Sequence, residues 1–173
     1  MRTLPGKRAL GVTAALGLAL AAAVVAAPAD ADGSSTGTTA STGCVALDQL
    51  TSQQVTFDYH DLPPAGTSVG DYATFHDNVL DANGAVIGTR DGTATIAWAD
   101  PSTGHLIAVY DATFTFGDGS VESAGTIDTV AANSGTPTTI SGFGLSGRYL
   151  GLTGTVTNQK TSPTVDSVHV DLC

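Results

Sequence analysis

The stretch that decides the fold is Tyr72-Ala73-Thr74-Phe75-His76-Asp77-Asn78-Val79-Leu80-Asp81-Ala82-Asn83-Gly84-Ala85-Val86-Ile87-Gly88. Its first part, Tyr72 to Leu80, has the composition of a strand. The Asp81-Ala82-Asn83-Gly84 turn then stops it, and Asn-Gly tolerates the positive φ that a tight hairpin turn demands. Two strands joined so closely must lie antiparallel.

The same grammar repeats in both directions. Upstream, Val55, Phe57 and Tyr59 fall on one face of a first strand, which Pro63-Pro64-Ala65-Gly66 breaks. Downstream, Ala85 to Gly88 leads into Gly92 to Trp98, where Ala94, Ile96 and Trp98 alternate. Asp100-Pro101-Ser102-Thr103-Gly104 forms the next turn. Leu106 to Phe116 follows, with Tyr110, Ala112, Phe114 and Phe116 on one face and Ile107 and Val109 on the other. Gly117-Asp118-Gly119 turns the chain into Ser120 to Thr129, and Ala131 to Pro137 reads as loop. Thr138 to Ile140, Gly151 to Thr157 and Val165 to Leu172 bring the count to about eight strands. Only Gly144 to Tyr149 invites a short helix or tight loop. Alternation at hairpin spacing without sustained helical periodicity predicts an all-β fold. A sandwich or a barrel would satisfy it. The expected form is an eight-stranded antiparallel up-and-down barrel, calycin-like, because closure removes the exposed edges of such Thr-rich strands. Such a barrel is just wide enough for packed side chains or one small ligand.

The ends set the context. Arg2, Lys7 and Arg8 precede an apolar run from Ala9 to Ala27, and small residues at Ala27-Pro28-Ala29 and Ala29-Asp30-Ala31 offer cleavage sites. Residues 1–31 therefore read as an export signal, and secretion is expected. Residues 32–43 read as a flexible Gly/Ser/Thr linker, and residues 44–173 as one domain. Of the 173 residues, 16 are acidic and 6 basic, a net charge of −10. The signal would carry away three cations and one acid, leaving Arg90, Arg148 and Lys160 and a charge of about −12. A chain so acidic has no basic stripe for a nucleic-acid backbone, and after signal cleavage no membrane partner is expected. Cys44 and Cys173 are the only cysteines. In an exported protein an even pair reads as a disulfide, here tying the first strand to the last residue.

No spacing marks a catalytic elbow, a zinc helix or a phosphate loop, and no metal site is expected. His76-Asp77 resembles half a metal site but reads more simply as a solvated strand end. Phe75, Trp98, Tyr110, Phe114 and Phe116 are five of the ten aromatic residues, gathered on the three central strands. They are expected inside, where a phenol such as Tyr110 must find a partner or a ligand. Arg148, held between Gly147 and Tyr149, bonds either loop carbonyls, an acidic neighbour or a substrate.

The block Phe75 to Thr89, with Asp118-Gly119, Ala124-Gly125 and Leu145-Ser146-Gly147-Arg148-Tyr149-Leu150-Gly151-Leu152-Thr153-Gly154, resembles the allene oxide cyclase/dirigent barrel superfamily. The stretch Ser146 to Gly154 is most similar to bacterial spirotetronate cyclases, the [4+2] cyclases of the abyssomicin type. The resemblance implies a barrel whose cavity folds a flexible hydrophobic substrate for cyclisation, with no cofactor. It implies that Tyr110 stands where those cyclases place a substrate-contacting tyrosine and Phe75 where they have a cavity aromatic. The chain departs from them at Asn158, Val156 and Ile140, where they carry tryptophan, arginine and tyrosine.

The expected site is therefore Tyr110 as catalytic donor with Phe75, Trp98, Phe114 and Arg148 contacting substrate. The expected function is a cofactor-free isomerase or cyclase, allene-oxide-cyclase-like or spirotetronate-cyclase-like. A non-catalytic lipocalin- or dirigent-like binding protein and a filled structural barrel are the alternatives. The expected partner is a hydrophobic small molecule, polyketide, polyene or lipid-derived, with a homodimer left open.

Overall fold

A computed structural model describes residues 43–173. Residues 1–31, expected as an export signal, and nearly all of the expected linker lie outside the described residues. Eight strands close into one barrel in simple chain order. They are β1 (Val45–His60), β2 (Tyr72–Leu80), β3 (Val86–Ala99), β4 (Leu106–Phe116), β5 (Gly119–Asp128), β6 (Thr138–Gly147), β7 (Thr153–Ser162) and β8 (Val165–Leu172), with one helix, α1 (Thr129–Asn133), between β5 and β6. Every neighbouring pair is antiparallel, and β1 bonds to both β2 and β8, so no edge is left. The expected fold class holds.

Strand β4 shows why the sequence takes this form. Ala108, Tyr110, Ala112 and Phe114 are buried while Val109, Asp111 and Thr115 face solvent, the period of two that a half-buried strand requires. Leu50, Val79, Phe114, Val121, Tyr149, Val156, Val168, Val170 and Leu172 pack one half of the interior into a solid core. The Cys44–Cys173 disulfide clasps the barrel at that end across a sequence separation of 129. Cys173 N also donates to Thr153 O at 2.8 Å, fixing the chain end against β7.

Three local readings change. The chain from Gly88 to Gly92 runs inside β3 rather than breaking it. Helix α1 lies at 129–133, in the stretch expected to be loop, with Asp128 capping it by accepting from Val130 N and Ala131 N. The stretch from Gly144 to Tyr149, expected as helix or tight loop, instead finishes β6 and enters a turn. Gly147 takes φ +61 there, with the backbone of Asp118 and Gly119 where a side chain would be.

Bulges reset which face is inward. β1 and β2 lose register between Gln54 and Thr56, and β3 and β4 between Ile96 and Trp98. An extra residue reverses the side-chain phase beyond it. Ile96 is therefore buried, whereas Trp98 turns outward and is 44% exposed.

Candidate functional site

The other half of the barrel is hollow, with a cavity of about 190 Å³. Phe75, Ala94, Tyr110, Ile127 and Ile140 form its walls, and exposed residues including Gln54, Phe57, Thr136, Pro163 and Thr164 carry it to the surface. Space exists because the wall on β3 is bare. A Cβ on Gly92 would stand 2.5 Å from the Phe75 ring and 2.6 Å from the Ala112 side chain. The Phe75 ring thus lies over Gly92, its cross-strand partner, and stacks on Tyr110 with centroids 5.6 Å apart.

The floor is ionic. Arg90 is 6% exposed and reaches across the interior from β3 to β7 and β8. Its Nε donates to Asp77 Oδ2 at 2.7 Å, Nη1 to Asn158 Oδ1 at 3.0 Å and Nη2 to Asp166 Oδ2 at 2.9 Å. Ser52 Oγ donates to the same Asp77 oxygen at 3.0 Å. The guanidinium also lies 5.2 Å from the Phe75 ring centroid and 5.9 Å from that of Phe114, so it separates cavity from core. Burial alone works against its charge, but the negative charges of Asp77 and Asp166 and the hydrogen bond to Asp166 outweigh that and raise its pKa. It stays a cation. The cavity therefore has apolar walls on a charged base.

Tyr110 sits above this base. Its oxygen is enclosed and is the one buried side-chain polar atom among the described residues without a hydrogen-bond partner. Burial pushes its pKa up, and nearby Arg90 only partly offsets that, so the phenol is a neutral donor. Ser123, close enough to favour the phenolate slightly, gives its own proton to Ala112 O and makes no well-formed bond to the phenol.

The structure brings Phe75 and Tyr110 together and leaves the other expected contacts elsewhere. Trp98 faces solvent beyond its bulge. Phe114 is fully buried in the core beneath Arg90 and does not line the cavity. Arg148 lies at the opposite end, where its Nε pairs with Asp118 at 2.8 Å and its Nη2 donates to Tyr149 Oη at 2.9 Å. There it fixes the turn that lets Tyr149 plug the barrel. His76 bonds Asp91 across the sheet at 2.6 Å, and no cluster of metal-ligating residues exists among the described residues.

A family model for the allene oxide cyclase barrel like domain matches residues 49–170, and the chain belongs to that family. Among solved structures it is similar to the Diels–Alderase AbmU from Streptomyces koyangensis, with a TM-score of 0.69 and 28% identity over 75% of this chain and 63% of that one. It is equally close, at 28% identity and a TM-score of 0.68, to a nonspecific heme-binding cyclase that catalyses [4 + 2] cycloaddition during neoabyssomicin biosynthesis; 75% of this chain matches 63% of that one. The chain thus spans less than two thirds of the length of these two relatives. AbnU, an exo-specific intermolecular Diels–Alderase, matches over 75% of this chain and 96% of its own at 20% identity with a TM-score of 0.68, and shows the shared fold.

Proposed function

We propose that this protein is a cyclase that takes a flexible hydrophobic small molecule into the hollow half of its barrel and folds it for an intramolecular cycloaddition. The observation that carries this reading is the unpartnered, fully enclosed Tyr110 hydroxyl beside the Phe75 ring. A buried donor left without a partner costs about 1–3 kcal/mol, a cost that a ligand carbonyl would remove once the Tyr110 ring shifts to turn its enclosed hydroxyl toward the void. The family and the 28% identity to two cyclases support the same direction.

The chemistry suits these residues. In a [4+2] cyclisation two carbon–carbon σ bonds form as three π bonds become one, and no atom, proton or electron leaves the substrate. The protein has to hold one productive conformer, and confinement of a floppy chain is worth several kcal/mol. A neutral phenol donating to the dienophile carbonyl lowers the barrier further, most where water is excluded. Such a reaction calls for no cofactor. Export of the mature domain is part of the proposal, supported by the signal-like residues 1–31 and by the Cys44–Cys173 bridge, which an oxidising compartment preserves.

One observation favours a second reading, a structural barrel with too little room for such a ligand. The cavity, about 190 Å³, is smaller than the roughly 300–1,000 Å³ that encloses a drug-sized ligand. A single experiment separates the two. With a linear polyene bearing an activated alkene, the wild type should release cyclised product, and Tyr110→Phe should turn over about tenfold more slowly or worse with its melting temperature nearly unchanged. No binding at all supports the structural barrel, and binding without product supports a non-catalytic lipocalin- or dirigent-like carrier. Equal turnover by the variant removes Tyr110 from the mechanism.

A further inference from the structure

We propose that Asn158 is a specificity-determining residue, selecting substrates that enter the cavity behind a neutral, carbonyl-bearing head group. The inference rests on the cavity being the ligand site, and it narrows the class of ligand. Asn158 sits on β7 at the cavity base. Its orientation is dictated from below. Arg90 has only donors, so the amide must turn Oδ1 toward it, and does so at 3.0 Å from Nη1. The amide nitrogen, with two protons, is then left on the other side. Among the described residues it makes no hydrogen bond, and the residue lines the void.

The base therefore offers donors. The Tyr110 hydroxyl is unsatisfied, the Asn158 amide is half free, and the Arg90 guanidinium is engaged by Asp77, Asn158 and Asp166. A ligand matching this set presents acceptors. It should not present a carboxylate, because Asp77 and Asp166 already supply two negative charges against one buried cation, with only partly exposed Lys160 beside them. A bare hydrocarbon end is disfavoured as well, since it would leave both donors unmet. What remains is a neutral head with two carbonyl oxygens close together, its apolar tail running past Phe75 and Ile140 to the mouth.

The test uses three probes of similar length on the purified full chain by calorimetry: hexyl acetoacetate, hexyl butyl ether and decanoate. Wild-type protein should bind the acetoacetate about tenfold more tightly than the ether, the worth of one well-made hydrogen bond. Asn158→Asp keeps an acceptor for Arg90 but removes the amide protons, and should shrink that preference to the part Tyr110 supplies. Equal affinity for the two neutral probes in wild type, a preference undiminished by the substitution, or decanoate binding tightest would each overturn the assignment of Asn158. Failure of all three probes to bind would instead overturn the cavity as a ligand site, and this inference with it. Should the variant fold poorly, wild-type NMR decides: the Asn158 side-chain amide protons should shift with the acetoacetate and stay still with the ether, and a static signal overturns the proposal.

Discussion

Arg90 and Arg148 make the same kind of contact in opposite halves of the barrel. Each pairs with an aspartate and lies over an aromatic ring, 5.2 Å from Phe75 in one case and 4.9 Å from Tyr149 in the other. They differ in water. The Arg90 side chain is 8% exposed and its partner Asp77 2%, whereas Arg148 and Asp118 are 49% and 50% exposed. Similar chemistry at different burial does different work: the enclosed cluster shapes a site, and the exposed pair trims a turn. A buried ion pair need not stabilise relative to hydrocarbon. Its presence beneath a cavity is better explained by what it presents to a ligand.

The turn-end half does not depend on its ion pair if the covalent clasp there holds the chain. Reducing Cys44–Cys173 should give the largest loss, about 4–5 kcal/mol by loop-closure entropy, read as a fall in melting temperature under reductant. An unchanged melt would mean that the barrel closes as well without it. Arg90→Leu should come next, costing about 3–5 kcal/mol, because Asp77 is left charged and enclosed. Adding Asp77→Leu should recover most of that in chemical denaturation. A double variant as unstable as the single one would show that the cluster stabilises the fold outright, erasing the contrast with Arg148.

The same comparison explains what could be read in advance. Hairpin spacing and alternation give the strands of an all-β fold, since both are local: Val165 to Leu172 is expected as a strand and is one, residue for residue. Arg90 escaped notice because Gly88 and Gly92 flank it and glycines read as breaks in a strand. Those glycines belong to the strand, where Gly92 leaves room for the Phe75 ring, a reason visible only across the sheet. With β3 continuous, residues 90, 92, 94 and 96 share the inward phase, and a lone cation there would have stood out. Trp98 failed for the opposite reason. Its alternation with Ile96 was real in sequence, but the bulge between them carries no mark in composition. The inward placement of Phe75 and Tyr110 is legible because β2 and β4 leave no residue out of the pairing; the shifts beside them skip residues of β1 and β3. Asn158 stood out only as a departure from the resembling cyclases, and its role depends on Arg90, 68 residues away.

The smallest effect expected is at Arg148. Its bond to Asp118 is half in water, where such pairs contribute about 0–1 kcal/mol and salt screens them over about 10 Å at moderate ionic strength. Arg148→Leu should therefore lower stability by less than about 1 kcal/mol in low salt, and the difference from wild type should shrink as salt is added. The loss at Arg90 should respond less to salt, because buried pairs are screened much less than exposed ones. Binding sharpens the contrast. Arg148→Leu should leave affinity for a cavity probe unchanged, since the residue lies at the far end of the barrel. A large, salt-independent loss at Arg148 would mean that the Tyr149 plug, and not the disulfide, is what seals that end.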